Sequence, residues 1–184
     1  MTIKFLSLAM AAGLALAAPV THAAVYNFNQ TGFDEGATIS GSFTVNDLDN
    51  SGQIDVGTLP GFNFDEISAF SLSFSGNSSV GAFKHSLADL SALIYNIGSP
   101  FLGDETSGAY QEGIGTNFDG VTGFDYYSGM GFGGFGGAVT DKATNAISYS
   151  SELVQVTAVP VPAAVWLFGS ALAGFIGAAR RRNS

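Results

Sequence analysis

Between Asp47 and Asp55 the chain reads Asp-Leu-Asp-Asn-Ser-Gly-Gln-Ile-Asp, with an oxygen-bearing side chain at every second position. A hard cation such as calcium takes about six to eight oxygen ligands at roughly 2.3–2.6 Å, and a short loop wraps one only if donors alternate with residues that turn away. On that pattern Asp47, Asp49 and Ser51 offer side-chain oxygens at loop positions 1, 3 and 5, Gly52 makes the sharp turn at 6, and Gln53 offers its backbone carbonyl at 7. Ile54 pins the loop to the core, and Asp55 coordinates at 9, directly or through water. Thr58 stands at position 12, where a helix–loop–helix calcium site carries a bidentate glutamate. The flanks read as strand and loop, so the expected site is a similar loop set between β elements. Lacking the bidentate ligand, it binds in the extracellular range of roughly 0.1–1 mM unless Asp65 or Glu66 folds back to help. Asp, Asn, Ser and Gly also dominate turns that hold no metal. Both readings stand; a structural Ca2+ is the one cofactor the sequence suggests.

Catalytic chemistry is harder to staff. His22 belongs to an N-terminal leader, so His85 is the one imidazole of the body, with Lys84 beside it and no carboxylate nearby in sequence. Ser86 adjacent to His85 is no dyad, because neighbours on a strand point to opposite faces. There is no G-x-S-x-G elbow, no histidine pair for zinc and no cysteine for a thiolate or a disulfide. Fifteen acidic residues allow so many carboxylate pairs that a glycosidase signature carries no information. The chain is expected to be non-enzymatic. Gly131, Gly133 and Gly136 spell a literal G-x-G-x-x-G, but a dinucleotide site needs a helix next, and Ala138 to Asn145 is a poor helix. Gly129 to Gly137 therefore reads as a flexible glycine-aromatic loop. Phe132, Phe135, Tyr126 and Tyr127 form either a sugar-stacking platform or ordinary packing.

The elements that must hold these residues read as strands. Glu66 to Ser75 alternates strictly, with Phe70, Leu72 and Phe74 on one side and Ser71, Ser73 and Ser75 on the other. Thr38 to Val45 puts Ile39, Phe43 and Val45 on one face with Gly41 between them. Val25 to Asn29, Leu93 to Ile97, Ala146 to Val156 and, more weakly, Phe124 to Tyr127 are further strands; only Ser86 to Leu93 has a helical look. Thirteen of 16 phenylalanines fall between residues 24 and 159 and supply a core. The expected fold is all-β, an antiparallel β-sandwich or jelly-roll-like body. All 15 acidic residues lie in this body against only Lys84 and Lys142, a net charge of −13. Such a surface excludes nucleic acid as a partner, excludes attraction to an anionic membrane surface, and makes divalent cations the natural counter-ions.

Both ends of the chain read as addresses. Met1 to Lys4 is a positive n-region, Phe5 to Ala18 is apolar, and Thr21-His22-Ala23 suits signal peptidase, with cleavage after Ala23. At the other end Pro160-Val161-Pro162 stops the last strand. Ala163 to Ala179 then carries no charge over 17 residues. As a single transmembrane helix it is about 25 Å long, short of a hydrocarbon core of roughly 30 Å. Arg180, Arg181 and Arg182 can snorkel to make up the difference and keep their charge cytoplasmic, which places the body outside.

The string VPVPAAVWLFGSALAGFIGAARRR closely resembles the PEP-CTERM sorting signal of exopolysaccharide-producing Gram-negative bacteria, in its PAAVWLFGS variety. The resemblance covers residues 160–184 and falls on Pro160 and Pro162 for the motif, Trp166 and Gly169 within the helix, and Arg180, Arg181 and Arg182 for the stop. Val161 stands where the named motif has glutamate, which leaves the exosortase subtype open. The resemblance implies a precursor anchored in the inner membrane with a periplasmic body. It also implies a membrane protease of the exosortase type that cuts near the prolines and delivers the body to the cell surface. Hydropathy alone equally fits a permanent membrane anchor.

The sequence thus divides into a signal peptide (1–23), an acidic Gly/Phe-rich β domain (24–159) and a sorting tail (160–184). It reads as an exported, non-catalytic surface or matrix protein associated with exopolysaccharide or biofilm. The alternative is a secreted carbohydrate-binding module or glycan-active enzyme bearing the same tail.

Overall fold

The computed structural model describes residues 23–58, 62–103, 112–118, 120–129 and 134–160. These residues form an all-β body of two six-stranded antiparallel sheets. The first sheet contains β1 (Ala24–Gln30), β2 (Ile39–Val45), β4 (Ile67–Phe74), β5 (Phe83–Ser86), β7 (Phe101–Leu102) and β12 (Val154–Val159), in the order β5-β4-β2-β1-β12-β7. The second contains β3 (Gln53–Gly57), β6 (Leu90–Asn96), β8 (Gly113–Thr116), β9 (Phe124–Gly129), β10 (Gly134–Asp141) and β11 (Ala146–Ser150), in the order β11-β10-β9-β8-β6-β3.

The period-two pattern carries through. Ile39, Phe43, Val45, Phe70, Leu72 and Phe74 are buried, while Ser71 and Ser75 face out. Register turns the pattern into packing. Tyr26 pairs with Phe43, and Phe43 with Phe70, so Tyr26 stacks on Phe43 at 5.2 Å between ring centroids. Tyr95 from β6 meets Tyr26 and Phe43 edge-on at 5.2 and 5.4 Å, locking one sheet to the other. Offset and edge contacts of this kind add about 0.5–1.5 kcal/mol per pair beyond area burial. Gly41 makes room for this cluster: a Cβ there would lie within 2.3 Å of the Phe28 ring.

A polar relay is buried among the apolar groups. Tyr126 donates its hydroxyl proton to Gln30 Oε1 (2.8 Å), and Gln30 Nε2 donates to Ser128 Oγ (3.1 Å) and to the Glu152 carbonyl (2.6 Å). Each group is desolvated but partnered, so the relay ties β1 to β9 and to the turn before β12 at little net cost.

Several sequence readings are corrected. The run Ala146 to Val156 is two strands, β11 and β12, broken at Ser151-Glu152-Leu153 and placed in different sheets. Ser150 Oγ, donating to the Thr31 carbonyl, and Glu152 N–H, donating to Ser150 Oγ, fold the chain over at that break. Gly129 to Gly137 is not wholly a loop, since β10 starts at Gly134 and pairs with β9 across a bulge between Gly134 and Gly137. A strand therefore stands where a dinucleotide fingerprint needs a helix; Gly131 and Gly133 lie outside the described residues. Ser86 to Leu93 is a single 3-10 turn at Leu87–Asp89 followed by β6. Tyr126 cannot join Tyr127 on a sugar platform, because it is fully buried in the relay while its neighbour faces the other way.

The first and last strands pair in antiparallel fashion, with Val25 opposite Val159. Ala23 and Pro160, both at the same end of that pair, are exposed. The predicted signal helix before Ala23, and Pro162, Trp166, Gly169, Arg180, Arg181 and Arg182 of the tail, lie outside the described residues. Among the described residues no helix is long and apolar enough to cross a membrane.

Candidate metal centre

The Asp47 segment leaves β2 at Val45, turns through Asn46–Gly52 and enters β3 at Gln53. Asn50 and Gly52 both take left-handed backbone angles, φ 58° and 78°, the second at the position read as the sharp turn. Carboxylate caps close the turn. Asp47 accepts from the N–H groups of Ser51 (3.0 Å) and Gly52 (3.0 Å), and Asp49 accepts from Ser51 N–H (2.9 Å). Ile54 is fully buried and Gly52 O accepts from Ile97 N–H (2.9 Å), so the loop is pinned to β6 as expected.

Glu66 completes the cluster. The β2–β4 ladder pairs Val45 with Ile67, and Asn46 N–H extends it by donating to Glu66 O (2.9 Å). The Glu66 side chain then reaches the loop, accepting from Leu48 N–H at Oε1 (2.9 Å) and from Asp55 N–H at Oε2 (3.4 Å). One carboxylate oxygen from each of Asp47, Asp49 and Glu66 falls within 4.8 Å of the others. Glu66, immediately before β4, thus brings a third carboxylate to the loop. Thr58 itself is turned away, bonded through both its N–H (2.9 Å) and hydroxyl (3.3 Å) to the Ser91 carbonyl.

The remaining predicted ligands are arranged differently. Ser51 Oγ donates to the Gln53 carbonyl (2.8 Å), so these two oxygens are bonded to one another. Gln53 and Asp55 stand on β3 and not in a loop, correcting the sequence reading. The Gln53 amide donates to Asn96 Oδ1 (2.9 Å). Asp55 lies outside the three-carboxylate group, yet it lines a cleft of about 250 Å³ with two of its members, Asp49 and Glu66, and with Ser51 and Asp65, whereas Asp47 faces a neighbouring cleft. Its Oδ1 is shielded from solvent with no hydrogen-bond partner. Burial, together with the charges of Glu66 and Asp49, raises the Asp55 pKa. Asp49, bonded by the Ser51 side chain and backbone, is held below the ordinary aspartate value. Carboxylates this close repel one another, and a bound divalent cation is the ordinary way to offset that repulsion.

Elsewhere the titratable groups serve the fold. His85 shares a hydrogen bond at Nδ1 with Thr116 Oγ1 (2.8 Å) and packs 4.7 Å from the Phe83 ring. Burial lowers its pKa, against the opposing charges of Asp89 and Asp125. Ser86 donates its hydroxyl to Asp89 (2.9 Å). At the opposite end of the second sheet Lys142 extends its ammonium into the turn after β8, donating to the carbonyls of Asn117 (2.6 Å) and Gly120 (2.6 Å) and lying 3.5 Å from Asp125 Oδ2. Sequence inspection had no signal for this cage, because backbone carbonyls leave no mark in residue identities. Scans of the chain against family models, curated proteins and solved structures return no match.

Proposed function

We propose that the chain is an exported, non-catalytic surface protein whose jelly-roll-like body is stabilised by Ca2+ and delivered by its C-terminal signal. The observation that carries the calcium reading is the placement of Glu66 against Asp47 and Asp49, which supplies the carboxylate that the loop lacks at Thr58. Asp47, Asp49 and Glu66 form the core of the ligand set, with Ser51, the Gln53 carbonyl and Asp55 within reach of the same cleft. The role is structural, since the cation would tie the β2–β3 turn to the start of β4.

Delivery rests on the two ends of the sequence. Signal peptidase removes the leader after Ala23. The apolar tail, a single transmembrane helix, halts the precursor in the inner membrane, and an exosortase reads Pro160 and Pro162 before releasing the body to the cell surface or its exopolysaccharide. First and last strands that begin at Ala24 and end at Val159 fit this division, because cutting at either boundary removes nothing from the sheets.

Thermal unfolding of the body in EDTA and in 10 mM CaCl2 tests the metal. For a site of roughly 1 mM affinity the expected stabilisation is about 1.4 kcal/mol, or roughly 5 °C in Tm. No shift removes calcium from the proposal. Delivery is tested by the mass of the mature protein in the outer fraction: a C-terminus near Pro162 supports processing, whereas an intact Arg180–Ser184 end means a permanent anchor.

A further inference from the structure

We propose that the cleft at one end of the sandwich, where the start of β1 meets the Asn46–Gly52 turn and Ile97, binds a single neutral pyranose unit. This inference goes beyond the calcium and delivery readings and rests on neither. Strand register assembles the cleft. Ala24 pairs with Val45, so the start of β1 lies beside the exit from β2, and Ile97 reaches the same end through its N–H, which donates to Gly52 O (2.9 Å). The volume is about 230 Å³. Drug-sized ligands take about 300–1,000 Å³, so this cleft suits a ligand no larger than a sugar ring.

Tyr26 is the anchor. It is only 5% exposed, and its ring is fixed by Phe43 and Tyr95, each 5.2 Å away between centroids. Among the described residues its hydroxyl has no hydrogen-bond partner. A hydroxyl sealed in protein without a partner would be stranded, yet the stranded side-chain atoms among the described residues are Asp55 Oδ1 and Asp125 Oδ1. The Tyr26 hydroxyl therefore reaches open space, and the cleft is the space that Tyr26 lines. Burial raises its pKa above 10, so it keeps its proton and can donate as well as accept. The side-chain amides of Asn46 and Asn50 line the same cleft, again without partners among the described residues, and so does the Asp47 carboxylate. Asp47 is held by the N–H groups of Ser51 and Gly52, and Asn46 by its own N–H on Glu66 O. Ala24, Val45 and Ile97 give the cleft an apolar side. A ligand for this set needs several groups that each donate and accept, closely spaced on a compact frame with an apolar face, and a pyranose has that chemistry. Charge narrows the choice. Carboxylate oxygens of Asp49 and Glu66 lie within 4.8 Å of one on Asp47, and the body carries −13, so uronic acids and other anionic sugars are repelled.

Saturation-transfer NMR on the full chain, titrated with methyl glucoside, methyl galactoside, N-acetylglucosamine and glucuronate in EDTA and again in CaCl2, tests the proposal. Expected is saturable binding of at least one neutral sugar under both conditions, and none of glucuronate. Tyr26→Phe keeps the packed ring and removes a hydroxyl that bonds nothing in the fold, so it should weaken that binding about fivefold, the worth of one hydrogen bond, at unchanged Tm. Asn46→Ala should weaken it similarly, and decides the matter if Tyr26→Phe disturbs the fold. No saturable binding by any neutral sugar overturns the proposal, as does undiminished binding by both variants. Binding that Tyr149→Ala abolishes and Tyr26→Phe does not would place the sugar on the exposed Tyr149 ring of β11 and also overturn it. Binding seen only in CaCl2 and indifferent to Tyr26→Phe would place the sugar on the cation, overturning the cleft while supporting the calcium reading.

Discussion

Replacing Lys142 by methionine keeps the aliphatic stem and removes only the ammonium. Lys142 and Asp125 are 14% and 17% exposed at their side chains, so the pair is largely withdrawn from water. The ammonium donates to two carbonyls at 2.6 Å, Asn117 and Gly120, and a third, that of Phe118, lies 3.4 Å away. Charge-assisted hydrogen bonds contribute about 1.5–3 kcal/mol each but are not additive here, because all converge on one nitrogen. Breaking a buried pair by deleting one partner costs about 3–5 kcal/mol, most of it from the stranded charge. Asp125 is already poorly provided for, since its Oδ1 has no hydrogen-bond partner. Allowing for residual solvent access, the expected loss is about 3 kcal/mol, or roughly 10 °C in Tm for a body of this size. Urea unfolding followed by circular dichroism measures it. Lys142→Met combined with Asp125→Asn should recover about 1 kcal/mol or more, as the stranded carboxylate is gone. A single-variant loss below about 1 kcal/mol, the value of an exposed ion pair, would refute the internal role assigned to this ammonium.

Gly41→Ala should cost at least about 2–3 kcal/mol, because its Cβ would meet the Ser71 carbonyl oxygen at 2.1 Å on the paired strand; urea unfolding reads the loss, and a neutral result would contradict the register of β2 on β4. His85 has a folded pKa below its free value of 6.5, so the unfolded chain binds more protons as pH falls below about 6.5 and stability drops with acidification. His85→Gln should flatten that part of a Tm-against-pH profile. Asp55 is raised above 3.8, which reverses the sign: in chelator, its contribution to stability is lost as pH rises above about 4. Asp55→Asn should therefore raise the Tm in EDTA, by an amount worth about 1 kcal/mol or less given its solvent access, while shrinking the shift produced by calcium. A variant that is less stable in EDTA would show that Asp55 is not strained by its neighbours.

The body was readable in the sequence wherever side chains mark the two faces of a strand. Phe70, Leu72 and Phe74 against Ser71 and Ser73 leave little choice of orientation, and Ile39 to Val45 follows the same logic. Glycine removes that signal. β8 is Gly-Ile-Gly-Thr and β10 opens Gly-Phe-Gly-Gly, where glycine at the alternate positions leaves no polar side chain to contrast with the apolar one, and pairing with β9 defines the strand. The run from Ala146 to Val156 looks continuous because both halves alternate, and hydrogen bonds to Thr31 and around Ser150 are what divide it. The loop was legible for Asp47, Asp49 and Gly52, which are local. Glu66 was visible only as an acidic residue near enough to help, because its arrival depends on β4 lying beside β2, a fact of the sheet and not of the segment.

The pairing of β1 with β12 also fixes when the body can become itself. The first strand made has its lasting partner in the last, with Val25 opposite Val159, and contacts so distant along the chain close slowly. While β12 is still being synthesised, one flank of β1 has no partner strand to accept. The first sheet can therefore be completed only after nearly the whole body has emerged. A sheet built this way closes last along the seam between its first and last strands, so everything in between must wait for that seam to be fastened.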